Sequence, residues 1–192
     1  MEERSEVMHQ YEKINGLYQL LSGNRKNSRM DIETYVQRHY LEQILEAANQ
    51  RFQDMSAGQF ELRMCDIDKA GTGKNRGLDL MVYSAVTGKV REVRTLSGGE
   101  SFMAALSLAL GMADQIQESS AAINLDMMFI DEGFGSLDEH SRDQAVKVLQ
   151  NMAEGEKLIG IISHVTELKQ EIEDQLSVTK DDQGSHTRWQ IS

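Results

Sequence analysis

The run Met127-Met128-Phe129-Ile130-Asp131-Glu132-Gly133-Phe134-Gly135-Ser136-Leu137-Asp138 consists of four apolar residues, two carboxylates and a glycine-rich loop. Four apolar residues bounded by polar ones read as a short buried strand, Met127 to Ile130. The pattern after it is helical from Glu139 to Met152, and a second apolar run, Leu158 to Ile162, reads as another buried strand. Upstream, Phe102 to Gln117 has helical spacing. Helix, strand, helix, strand in succession predicts parallel strands joined by crossover helices, so the chain is of the mixed α/β class. In open sheets of this kind ligands bind beyond the carboxyl ends of the strands. Asp131, Glu132 and, after the second strand, His164 therefore stand at candidate positions. Asp131 offers hard oxygen to Mg2+, directly or through water, and leaves Glu132 to polarise water. Paired carboxylates after an apolar run repel one another, which argues against simple solvation of a strand end. A lone histidine at the His164 position is more often a satisfied helix-start residue than a catalytic one.

Thr95-Leu96-Ser97-Gly98-Gly99-Glu100 precedes the first of these helices. Glycines let a backbone approach a ligand closely, and the free NH groups and positive dipole end of the helix point to the same spot. With Ser97 at the N-cap the geometry suits a phosphate oxygen. The same residues also make a helix start with no ligand. Gly133 to Asp138 is a glycine-rich loop ending in an N-cap. A phosphate-binding loop GxxxxGK[ST] is missing, because its one candidate, Ala70-Gly71-Thr72-Gly73-Lys74-Asn75, has Asp68 where glycine is required and Asn75 in place of Ser or Thr. That segment reads as a hairpin tip.

Val7, Tyr11, Ile14, Tyr18 and Leu21 alternate at spacings of four and three, the seam of a coiled coil or of an ordinary amphipathic helix. Ile32, Val36, Tyr40, Ile44, Ala48 and Phe52 predict one long helix, stopped at Ser56-Ala57-Gly58. Phe60, Leu62 and Met64, then Leu78, Leu80 and Val82, then Val90 to Val93 after Thr87-Gly88, predict an antiparallel meander. Residues 175 to 191 predict a closing hairpin around Asp181 to Gly184.

The 192 residues carry 31 acidic and 20 basic side chains, a net charge of −11. Residues 1 to 95 hold 14 of each sign, whereas residues 96 to 192 hold 17 acidic and 6 basic. As a whole the molecule repels nucleic acid and anionic membranes. The basic residues that remain near one another, Arg63, Lys69, Lys74, Arg76, Lys89, Arg91 and Arg94, fall on the meander and are either a DNA-contacting patch or a solvated sheet edge. Cys65 stands alone and reads as a small apolar strand residue; five scattered histidines form no metal cluster. MEERSEVMHQ lacks a signal-peptide core, no run reaches membrane-spanning length, and the expected location is cytoplasmic.

Taken together, RTLSGGESFMAALSLALGMAD, MMFIDEGFGSLDEHS and GIISHVTELK resemble the signature helix, the Walker B strand with its D-loop, and the switch-histidine segment of the SbcC family. These are SMC-like DNA-repair ATPases within the ABC superfamily. AANQRFQDMSAGQFEL and GLDLMVYSAVTGKVREV also resemble SbcC more than transporter ATPases, and the resemblance covers nearly the whole chain. It implies the C-terminal lobe of an ABC-type head over residues 24–192, with residues 1–23 as the returning end of a long coiled coil. The P-loop would lie in a separate N-terminal lobe. Two heads would dimerise around ATP, with Ser97, Gly98 and Gly99 contacting the γ-phosphate held by the other head and Glu100 fixing the turn. Asp131 would hold Mg2+, Glu132 would orient the attacking water, Ser136 and Asp138 would couple the two sites, and His164 would sense the γ-phosphate. The implied partners are the N-terminal lobe, a second head, the SbcD nuclease and DNA, with no membrane. A transporter nucleotide-binding domain would show its own P-loop upstream of the signature. A dimerising coiled coil with a degenerate head, or an SMC-like ATPase that only tethers DNA, are the other readings.

Overall fold

The computed structural model describes residues 2–22, 30–66, 77–119, 125–153 and 157–191. The hairpin tip with Ala70 to Asn75, and Lys69, Lys74 and Arg76 of the basic cluster, lie outside the described residues.

Helix α1 spans Glu2–Leu21 and helix α2 spans Ile32–Met55. The Asp31 side chain caps α2 by accepting the Thr34 NH at 2.7 Å, which satisfies one of the free donors of the first turn. The helix stops where the sequence places Ala57 and Gly58 at positive φ, +51° and +73°. The chain then enters the meander β1 (Phe60–Met64), β2 (Leu80–Ser84) and β3 (Lys89–Glu92), paired antiparallel in that order. Leu62 faces Val82 across the ladder and both are buried. The edge strand β1 is closed by a side chain of α2: Asn49 donates to the Leu62 carbonyl at 2.8 Å and accepts the Leu62 NH at 2.7 Å. An amide thus takes the place of a neighbouring strand. Cys65 lies one residue past β1, with its NH still bonded to the Asp79 carbonyl at 2.8 Å.

After one 3-10 turn, Val93–Thr95, helix α3 runs over Gly98–Ser119, four residues earlier than its apolar spacing indicates. Glycines carry no periodic signal, so the first turn is invisible to a pattern of apolar residues. Helices α2 and α3 pack closely at Gly111, where a Cβ would stand 2.7 Å from the Ile44 carbonyl. Arg51 of α2 pairs with Asp114 of α3 across the crossing, and Lys157 pairs with the same carboxylate.

Strand β4 (Met127–Asp131) and strand β5 (Leu158–Ile162) are parallel, connected through helix α4 (Glu139–Ala153), as the alternation predicts. The expectation of buried strands is corrected. Ile130 is buried, but Met127, Phe129, Leu158 and Ile162 are all more than half exposed. Apolar runs in parallel strands arise because both faces are covered in the finished sheet, and here the helices cover one. Helix α5 (Leu168–Glu171) and the hairpin of β6 (Gln175–Asp181) and β7 (Gly184–Gln190) follow. The core is formed by α2, α3, α4, the inner face of the meander and Ile130 and Phe134. The α1 seam stays outside it: Val7, Tyr11, Ile14 and Tyr18 are each more than 60% exposed. Among the described residues no helix is long and apolar enough to cross a membrane.

Candidate functional site

The first turn of α3 is a reciprocal capping box. Glu100 accepts the Ser97 backbone NH at 2.7 Å and the Ser97 hydroxyl accepts the Glu100 NH at 3.3 Å. Arg91 reaches the same carboxylate at 3.4 Å and donates to the Thr95 carbonyl at 2.6 Å, bracing the approach to the helix. Glu100 therefore shapes this turn through its own hydrogen bonds. Gly99 has a local reason to be glycine: a Cβ there would lie 2.8 Å from the Ser136 carbonyl. At Gly98 the nearest atom is at 3.7 Å, an ordinary contact.

Ser97, Gly99 and Glu100 thus meet Ser136, Asp138 and His140 around one cavity of about 200 Å³. Asp138 caps α4, accepting the Ser141 NH at 2.8 Å and its hydroxyl at 3.1 Å. The Ser141 NH, and then its hydroxyl, hold the Asp138 carboxyl below its ordinary pKa. Ser136 donates its hydroxyl to the Gly133 carbonyl at 2.8 Å.

A second group forms at the carboxyl ends of β4 and β5. The backbone NH of Glu132 bonds the Ile162 carbonyl at 2.9 Å, which fastens the two strand ends together. The Glu132 carboxylate then lies 2.8 Å and 3.1 Å, by its two oxygens, from Nδ1 of His164. Both side chains are more than half exposed. Asp131 sits in register with Ile162 on the last rung of the ladder and is exposed. The predicted residues accordingly fall into two groups, Ser97 to Glu100 with Ser136 and Asp138, and Asp131 with Glu132 and His164. The loop 133–138 joins them.

Among the described residues no cluster of three His, Cys, Asp or Glu side chains encloses a metal. Asp131 offers a single exposed carboxylate, a hard oxygen donor, at the end of β4. The contacts of Arg91 with the signature turn and of Gly99 with Ser136 escaped the sequence reading. The first has a local signal, a basic residue nine positions before an acidic one; the second joins residues 37 apart and has none.

The fold is shared with solved SMC heads. A solved SMC ATPase, described for its ATP-driven dimerization and DNA stimulated activation, superposes with a TM-score of 0.63 at 15% identity, over 81% of this chain and 88% of that one. Residues 78–151 match the family model described as "SbcC/RAD50-like, Walker B motif". The chain is 44% identical over 185 residues to the SbcC polypeptide of the nuclease SbcCD of Treponema pallidum, covering 96% of this chain and 17% of that protein. It is also 44% identical over 179 residues to the SbcC polypeptide of Vibrio cholerae, covering 93% and 18%. Over these spans the chain is similar to SbcC polypeptides, and it spans about a sixth of the length of the curated relatives it matches.

Proposed function

We propose that residues 24–192 form the C-terminal lobe of an SbcC-type ATPase head, which completes an ATP site rather than containing one, and that residues 1–23 end a coiled coil. ATP-driven closure of two heads would be coupled to processing of DNA ends and hairpins by the associated SbcD nuclease. The single observation that carries the reading is the Glu132–His164 pair beside Asp131 at adjacent strand ends. A carboxylate in this place accepts a proton from, and aligns, a water molecule, while an imidazole whose Nδ1 lies 2.8 Å away fixes the carboxylate's direction. Asp131 is the residue to hold Mg2+, which neutralises developing phosphate charge when bound. Ser97 and the NH groups of the α3 first turn form an anion-directed surface on the other group, facing a phosphate presented by a second head.

The exposed apolar faces support the missing partners. Met127, Phe129, Leu158 and Ile162 offer one side of the β4–β5 pair to an N-terminal lobe that would carry the P-loop. In the full-length protein, Glu132→Gln retains ATP-dependent dimers while turnover falls about 10²-fold, the usual range for a positioned base. Unimpaired hydrolysis would remove Glu132 from the role.

DNA contact by the meander is the weaker part of the proposal, because Arg63, Arg91 and Arg94 are each paired with a glutamate. Reversing the charge at Lys74 and Arg76 lowers DNA affinity of the assembled complex at low salt if these residues touch DNA. Unchanged affinity rejects it.

A further inference from the structure

Glu132 and Gly133 are consecutive residues with positive φ, +60° and +98°. A glutamate in the left-handed region is uncommon and persists where its surroundings over-determine it. Three restraints converge here. The Ile162 carbonyl accepts the Glu132 NH at 2.9 Å, and Ser136 donates to the Gly133 carbonyl from its NH at 3.2 Å and its hydroxyl at 2.8 Å. The third restraint comes from another element. The Phe102 ring lies against Gly133 so closely that a Cβ at that glycine would stand 2.0 Å from one ring carbon and 2.2 Å from the next. Phe102 is seated edge-on against the buried Phe134, ring centroids 5.0 Å apart at 64°.

Phe102 belongs to α3, two residues beyond Glu100 of the capping box. The helix whose first turn offers its NH groups to an anion therefore also rests a ring on the turn that aims Glu132. We propose that Phe102 is a positioning residue: it holds the Glu132–Gly133 turn in its left-handed form and passes displacements of the α3 first turn to the Glu132 carboxylate. This rests on the reading of Glu132 as the water-orienting group. With no Cβ at Gly133 to separate ring from backbone, α3 cannot shift there without moving the turn. A benzyl ring carries no charge and contacts no anion, so its removal acts on placement and leaves binding intact.

The test uses the full-length protein and reads kcat, KM for ATP, ATP-dependent dimerisation and thermal stability. Phe102→Ala lowers kcat by about 10- to 10²-fold, the scale of a slight misplacement of a reacting group. KM stays within about 3-fold and dimers persist, the pattern of an interaction needed only for turnover. Phe102→Leu, which keeps bulk over the glycine, restores most of kcat. Leu110→Ala, a fully buried residue of the same helix away from the turn, loses stability but keeps kcat. Should Phe102→Ala not fold, Phe102→Val, which keeps an apolar side chain but withdraws the ring from Gly133, produces a drop in kcat of the same kind. Full turnover in Phe102→Ala or Phe102→Val, with Glu132→Gln inactive, overturns the inference alone, as does an equal fall in Leu110→Ala. Full turnover in Glu132→Gln overturns the reading beneath it and the inference with it.

Discussion

The two adjacent glycines of the signature turn have different work to do. Gly99 is compelled by packing, since any side chain there meets the Ser136 backbone at 2.8 Å, whereas Gly98 has room for a methyl group. Gly99→Ala should therefore cost about 1–3 kcal/mol of stability, as overpacking does. Gly98→Ala should leave stability unchanged or slightly raised, because alanine favours the helix. Denaturant unfolding of the two variants checks this, and equal midpoints would contradict the assignment. Any effect of Gly98→Ala on ATP-dependent dimerisation then reports on the ligand face. A run of two glycines before a helix former is legible in sequence as a special backbone, but which of the two is compelled by packing is a fact of tertiary contact.

At the scale of elements, two helices start on aspartates. Asp31 and Asp138 each accept backbone NH groups, from Thr34 and Ser141, and both carboxyls are held below the ordinary range chiefly by those bonds. A depressed pKa in the folded state means stability that is present above the unfolded value of about 4 and is lost as pH falls through the lower folded value. Replacing Asp138 by Ala should lower the thermal midpoint at neutral pH and flatten its acid dependence below about pH 4. A midpoint that falls equally with acid in the variant and the parent would show that the cap contributes nothing. Elements of this kind were largely legible. Apolar spacing located α2, the meander, α4 and β5, and turn residues located the closing hairpin. What it could not see was the first turn of α3, built from glycines, and the exposure of one face of β4 and β5. An apolar run records burial in the finished assembly, and a chain read alone cannot say which molecule provides the cover.

On the whole-molecule scale the chain is a set of half-finished surfaces around a complete core. The α1 seam, the outer face of β4 and β5, and Leu176, Val178 and Trp189 of the last hairpin are all exposed and apolar. Residues 96 to 192 carry 17 acidic and 6 basic side chains, a balance that does not by itself favour an anion. A helix N-terminus contributes only about 0.3–2 kcal/mol toward an anion, which is far from enough to hold ATP. The direct test of a lobe that completes an ATP site is to combine this chain with its separately expressed N-terminal P-loop lobe and measure ATP turnover. The expected result is no hydrolysis by either part alone, hydrolysis on mixing, and its loss when the chain carries Glu132→Gln; turnover by the isolated chain, or turnover on mixing that survives Glu132→Gln, would contradict it.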